Sequence, residues 1–125
     1  MPPDTDGSSR EIQVVIPAES RFVALTRVAA ASLAADLDFT VDEIEDLRIA
    51  VDEIVTLLVD AAEPGGLVEL TYRIGADVIE LTGATKTDDD IGEDLDALTR
   101  QILDAVVDSY TVGAGSASMA KRRSA

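Results

Sequence analysis

Residues 41–62, VDEIEDLRIAVDEIVTLLVDAA, carry the pattern that decides the fold. Ile44, Leu47, Val51, Ile54 and Leu58 recur in alternating steps of three and four, which lays one apolar stripe along an α-helix. Thr40 stands just before the stretch, with Glu43 three residues later. That spacing predicts a capping box, in which the threonine oxygen accepts a first-turn N–H and the glutamate reaches back to the cap. Pro64-Gly65-Gly66 ends the helix, because proline cannot continue it and glycine frees the turn. The five stripe residues are the expected core. Asp46, Glu53, Leu57 and Asp60 share the opposite face. Three acids there read as a solvated surface, but a leucine among carboxylates reads as core or contact surface.

The 125 residues fit one domain large enough to bury a core, and 46% of them are hydrophobic, too many for a disordered chain. Phe22, Phe39, Tyr72 and Tyr110 are the only aromatics, so the core must be built from Val, Leu, Ile and Ala. A net charge of −15 argues against direct nucleic-acid binding, since neutralising phosphates needs clustered Lys and Arg. It favours a basic protein partner instead. The absence of cysteine excludes disulfides and thiolate chemistry. The absence of histidine removes Ser-His-Asp triads, histidine bases and most zinc or iron sites. The start, MPPDTDGSS, holds no apolar stretch, and no run approaches the ~20 apolar residues that span a bilayer. The expectation is a soluble, cytoplasmic protein with no membrane contact.

Around the central helix, residues 1–10 read as a disordered lead-in, 11–120 as a single domain and 121–125 as a basic tail. Glu11–Ile16 is β-branched and is the expected first strand, closed by Pro17. Residues 19–37 turn helical through Phe22, Leu25, Val28, Ala29 and Leu33. LVELTYRI at 67–74 alternates with period two, Gly75-Ala76-Asp77 makes a turn, and VIELTG at 78–83 returns. TKTDDDIGED at 85–94 is expected as an acidic loop, and 95–107 as a helix through Leu95, Leu98, Ile102, Leu103 and Val106. A last strand is expected to open at Tyr110 and run irregularly through Gly113-Ala114-Gly115-Ser116 to Met119. The order β-α-α-β-β-α-β predicts an α+β two-layer sandwich, with helices on one face of a mainly antiparallel four-stranded sheet.

DLRIAVDEIVTLLVDAA resembles the N-box helix of the RsbW-type anti-sigma factors and serine kinases, in the GHKL (histidine kinase-like) ATPase superfamily. Those proteins read roughly E-x-x-x-N-A at this place. The resemblance covers residues 11 to about 123, is specific in the central helix, and implies a Bergerat-like fold. In the family the glutamate is the base and the asparagine oxygen binds the magnesium of ATP. Glu53 matches the glutamate, but Leu57 stands in the asparagine position, and Mg²⁺ demands oxygen ligands. The family's adenine-recognising Asp-x-Gly falls near Thr85, where the chain reads ATKTDDD. The glycine-rich lid is shortened to a segment whose one glycine, Gly92, lies among acids. Acids beside a triphosphate repel it rather than cradle it. Three elements serving one ligand are thus missing together, a pattern similar to actinobacterial anti-sigma factors of the UsfX kind.

The resemblance implies an anti-sigma factor that sequesters a sigma factor and is released by a STAS-domain anti-anti-sigma factor, without ATP or metal. It is compatible with a homodimer. A serine/threonine kinase of the STAS antagonist, with Glu53 as base, is the alternative, as is an unrelated acidic interaction or dimerisation module. Arg27 lies where related anti-sigma factors carry a partner-binding arginine. It reads equally well as a helix-surface arginine paired with a nearby acid. Asp88-Asp89-Asp90 lacks the spacing of a calcium loop, Gly113–Ser116 has no lysine or following helix to make a phosphate loop, and Lys121-Arg122-Arg123 is too short for a nucleic-acid patch and reads as a solvated tail.

Overall fold

A computed structural model describes residues 10–93 and 95–124 of the chain. The helix of the opening stretch forms as expected: Val41–Ala61 is α2, and the capping box at its start is complete. Thr40 Oγ1 accepts the Glu43 N–H at 3.1 Å, and Glu43 Oε1 accepts the Thr40 N–H at 2.8 Å. Ahead of it, strand β1 (Arg10–Pro17) leads through a 3-10 turn at Ser20–Phe22 into α1 (Val23–Asp36). After it come β2 (Leu67–Ile74) and β3 (Val78–Thr85), then α3 (Ala97–Val106), β4 (Ser109–Val112) and β5 (Ser116–Arg122). The expected lead-in over 1–10 lies outside the described residues except for Arg10, which begins β1.

The strands form one antiparallel sheet in the order β1-β2-β3-β5-β4. It has five strands, not four. The single irregular strand expected from Tyr110 to Met119 is a hairpin, because Gly115 takes φ +71°, a conformation that favours glycine, and the chain reverses there. The Gly113 N–H donates to the Ser116 carbonyl at 2.9 Å and closes the turn. β5 runs on to Arg122, so the expected basic tail begins as part of the sheet.

Period two places Val68, Leu70 and Tyr72 of β2 and Ile79 and Leu81 of β3 on the helix-covered face, all buried. α2 lies across this face with α1 and α3 beside it, so its buried arc is wider than one stripe. Leu47, Val51, Ile54 and Leu58 are fully buried as expected, joined by Ala50, Val55 and Val59, whereas Ile44 is only half-buried. Tyr72 anchors α1 to the sheet, its hydroxyl donating to the Thr26 carbonyl at 2.8 Å. Burial pushes that phenol well above its usual range. Among the described residues, no helix is long and apolar enough to cross a membrane.

Candidate functional site

The second face of α2 is divided among three surroundings. Asp46 points toward β5, where Lys121 Nζ approaches its Oδ2 to 3.5 Å. Glu53 faces a shallow cleft of about 210 Å³ lined by Arg27, Glu45, Arg48, Ile49 and Asp52. Leu57 and Asp60 line a separate cavity of about 160 Å³ with Ala61, Asp89 and Ile91. One helical stripe therefore serves a strand, a cleft and a loop in turn.

In the cleft, Arg27 Nη1 of α1 stands 3.3 Å from Asp52 Oδ1 of α2. Both partners are about 40% exposed, so the pair contributes at most about 1 kcal/mol. This meets the simpler expectation for Arg27, a pairing with a nearby acid, while leaving the guanidinium accessible. Its neighbours Leu25 and Val28 on α1 are exposed at 58% and 65%, large apolar groups on a solvent-facing helix. Burial, with the charges of Asp52 and then Asp96, holds the Glu53 carboxyl above the usual carboxylate range. A raised acid is destabilising when ionised, so its penalty is relieved as pH falls through its folded value. Glu53→Gln is therefore expected to keep or raise the melting temperature at pH 7, with the gap to the parent protein narrowing on acidification. A melting temperature several degrees lower at pH 7 would mean that the carboxylate makes a favourable contact instead.

The acidic segment after β3 is folded against the domain. Ile91 is buried at 4% exposure and belongs to the main hydrophobic core, with Leu57 packed against the same cluster. Asp90 bridges to Ala114 as an isolated ladder pair, and its Oδ1 accepts the Gly92 N–H at 3.0 Å. A Cβ on Gly92 would sit 2.5 Å from the Val112 carbonyl oxygen, so the loop approaches the β4 end too closely for any other residue. Arg100 of α3 donates to the Gly92 and Leu95 carbonyls, each at 3.4 Å. Thr85 is likewise occupied: its hydroxyl donates to the Leu67 carbonyl at 2.8 Å, and its N–H to the Gly115 carbonyl at 2.9 Å. Thr85 thus closes the sheet end.

Glu53, Leu57, Thr85 and Arg27 are the site residues that the sequence suggests. The structure brings Glu53 and Arg27 to one cleft and leaves Leu57 and Thr85 outside it. Local sequence pattern does not reveal Ile91, whose only signal is a lone isoleucine inside an acidic loop. Nor does it reveal the Glu43–Ser124 contact, which spans 81 residues and leaves no local trace. Among the described residues, no group of three or more His, Cys, Asp or Glu is arranged to hold a metal ion.

An α+β sandwich with its capped central helix over an antiparallel sheet defines the class; sequence comparison narrows it. The chain is 35% identical over 92 residues to a serine-protein kinase RsbW of Halalkalibacterium halodurans, covering 73% of this chain and 55% of that protein. It is 30% identical over 94 residues to one of Bacillus cereus, covering 74% and 57%. It is 32% identical over 80 residues to one of Bacillus subtilis, covering 62% and 50%. No protein-family model matches the chain. The chain belongs to the RsbW-type family, and it spans about half the length of these curated relatives.

Proposed function

We propose that the protein is an anti-sigma factor that no longer uses ATP: it sequesters a sigma factor and releases it when a STAS-domain anti-anti-sigma factor competes. The observation that carries this reading is the joint fate of the family's nucleotide positions. Leu57 offers no oxygen to magnesium and borders a small cavity that Ile91 also lines. Thr85 spends its hydroxyl on the sheet, and the shortened lid presents Asp89 and Asp90 rather than a glycine cradle. These residues do not fit Mg·ATP. A protein-binding role keeps the family frame and needs only surface. Leu25 and Val28, three residues apart on α1, are exposed large apolar side chains on the helix that carries Arg27, the composition of a contact surface.

Release then reduces to exclusive binding, with the relative concentrations of sigma factor and antagonist setting the balance. The test follows an antagonist displacing sigma from the full chain with and without Mg·ATP. Superimposed displacement curves are expected, with no phosphate on the antagonist. In the same assay Arg27→Glu is expected to weaken sigma binding about tenfold or more without loss of fold, as removal of a charged anchor at an interface does. Normal binding by that variant would move the interface off α1.

The second reading, a serine kinase acting on the antagonist, is favoured by the raised Glu53 carboxyl, which suits a general base. It is supported also by the relatives, which are serine-protein kinases by name. A ligand bound only by the native state must raise its melting temperature. A magnesium-dependent shift of several degrees with millimolar ATP, together with a phosphorylated antagonist serine, would put this reading first.

A further inference from the structure

The only run of three consecutive basic residues in this acidic chain, Lys121-Arg122-Arg123, starts in the β3–β5 ladder and is further held by carboxylates. Lys121 reaches Asp46 on α2, with just 14% of its side chain exposed. The Arg122 N–H donates to Asp108 Oδ2 at 2.7 Å, and its guanidinium lies 3.5 Å from Asp77 Oδ1. The Arg123 N–H donates to the Asp77 carbonyl at 2.7 Å. Ser124 then gives both its N–H and its hydroxyl to Glu43 Oε2, each at 2.6 Å. The other oxygen of Glu43 holds the Thr40 N–H, so one carboxylate caps α2 and ties down the end of β5.

The tie is strong at Glu43 and imperfect beside it. The Ser124 hydroxyl, then the Ser124 and Thr40 N–H groups, hold the Glu43 carboxyl down to about 2, so it stays ionised at any physiological pH. Arg123 Nε, however, is buried with no hydrogen-bond partner among the described residues, a cost that is relieved whenever the segment lifts.

We propose that Ser124 is a phosphorylation site for a separate protein kinase with an acidic substrate groove, and that its modification unfastens residues 123–124, which follow β5, from the start of α2. Lysine and arginine just ahead of an acceptor serine are what an acidic groove selects by charge pairing. No other serine or threonine in the chain follows two consecutive basic residues. In the transfer, the Ser124 Oγ attacks the γ-phosphorus of the kinase's ATP. An O–P bond forms, the bond to the ADP leaving group breaks, and the hydroxyl proton passes to the kinase's base.

The consequence is electrostatic. The hydroxyl that donated to Glu43 becomes a phosphate of charge about −1.5 to −2, facing the negative Glu43 carboxylate. Attraction turns to repulsion, and Arg123, which lies beyond the β5 ladder, has a phosphate beside it to pair with. Because the docked hydroxyl points at Glu43, the kinase acts on the lifted segment, and the phosphate then keeps it lifted.

The experiment treats the full chain with the catalytic domain of a serine/threonine kinase selective for basic residues before the acceptor, with Mg·ATP. Phosphopeptide mapping is expected to find one phosphate, on Ser124, absent from Ser124→Ala. Incorporation is expected to be faster in Glu43→Gln, which retains a glutamine able to complete the capping box but loses the charge that holds the segment. After phosphorylation, the Arg123–Ser124 and Thr40–Glu43 amides are expected to exchange hydrogen about tenfold faster. Absence of phosphate on Ser124 in both the parent protein and Glu43→Gln would overturn the proposal, as would phosphorylation that leaves those amides unchanged.

Discussion

Val51→Asp is expected to lower stability by on the order of 4 kcal/mol and the melting temperature by more than about 10 °C. Val51 has no solvent exposure and sits midway along α2, between the sheet and the flanking helices. A carboxylate there has no basic partner, so it either pays its desolvation or stays protonated, and either outcome favours the unfolded chain. The loss is a large share of the roughly 5–15 kcal/mol that holds such a domain folded. Ile49→Asp is the control, because Ile49 lies on the same helix at 38% exposure, beside the cleft. A Val51→Asp protein melting with the parent would mean that α2 buries a different arc.

The face of α2 was legible because it rests on local spacing alone. Alternation in β2 and β3 was legible for the same reason, and so was the capping box. What failed locally was the end of the chain. Tyr110–Met119 carries too little apolar alternation to show a hairpin, and the reversal depends on one positive φ at Gly115. The width of the buried arc was hidden too, since Ala50, Val55 and Val59 are buried by neighbouring elements rather than by their own periodicity. In the site, residue types could be matched one by one, but their grouping could not. Arg27 and Asp52 are 25 positions apart and meet only because α1 packs along α2.

The same limit hid Ile91, and substituting it separates a working lid from a fixed plug. Ile91→Asp is expected to cost about 3 kcal/mol, close to the penalty at a core position. Three observations set that size: the residue is buried at 4% exposure, it joins the main core cluster, and the new carboxylate would enter a cavity already lined by Asp60 and Asp89. Like charges at that range add repulsion to the desolvation cost. Ile91→Val, which removes one methylene, is expected to cost only about 1 kcal/mol. A lid that closes on a nucleotide must open at little cost, so it is drawn from the least stable part of a domain. If the segment were such a lid, Ile91→Asp would leave the ATP-free protein melting unchanged. A graded loss from valine to aspartate would instead mean that the segment is core, sharing its cavity with Leu57. Leu57 and the loop would then form one apolar contact, in keeping with the proposed loss of nucleotide binding.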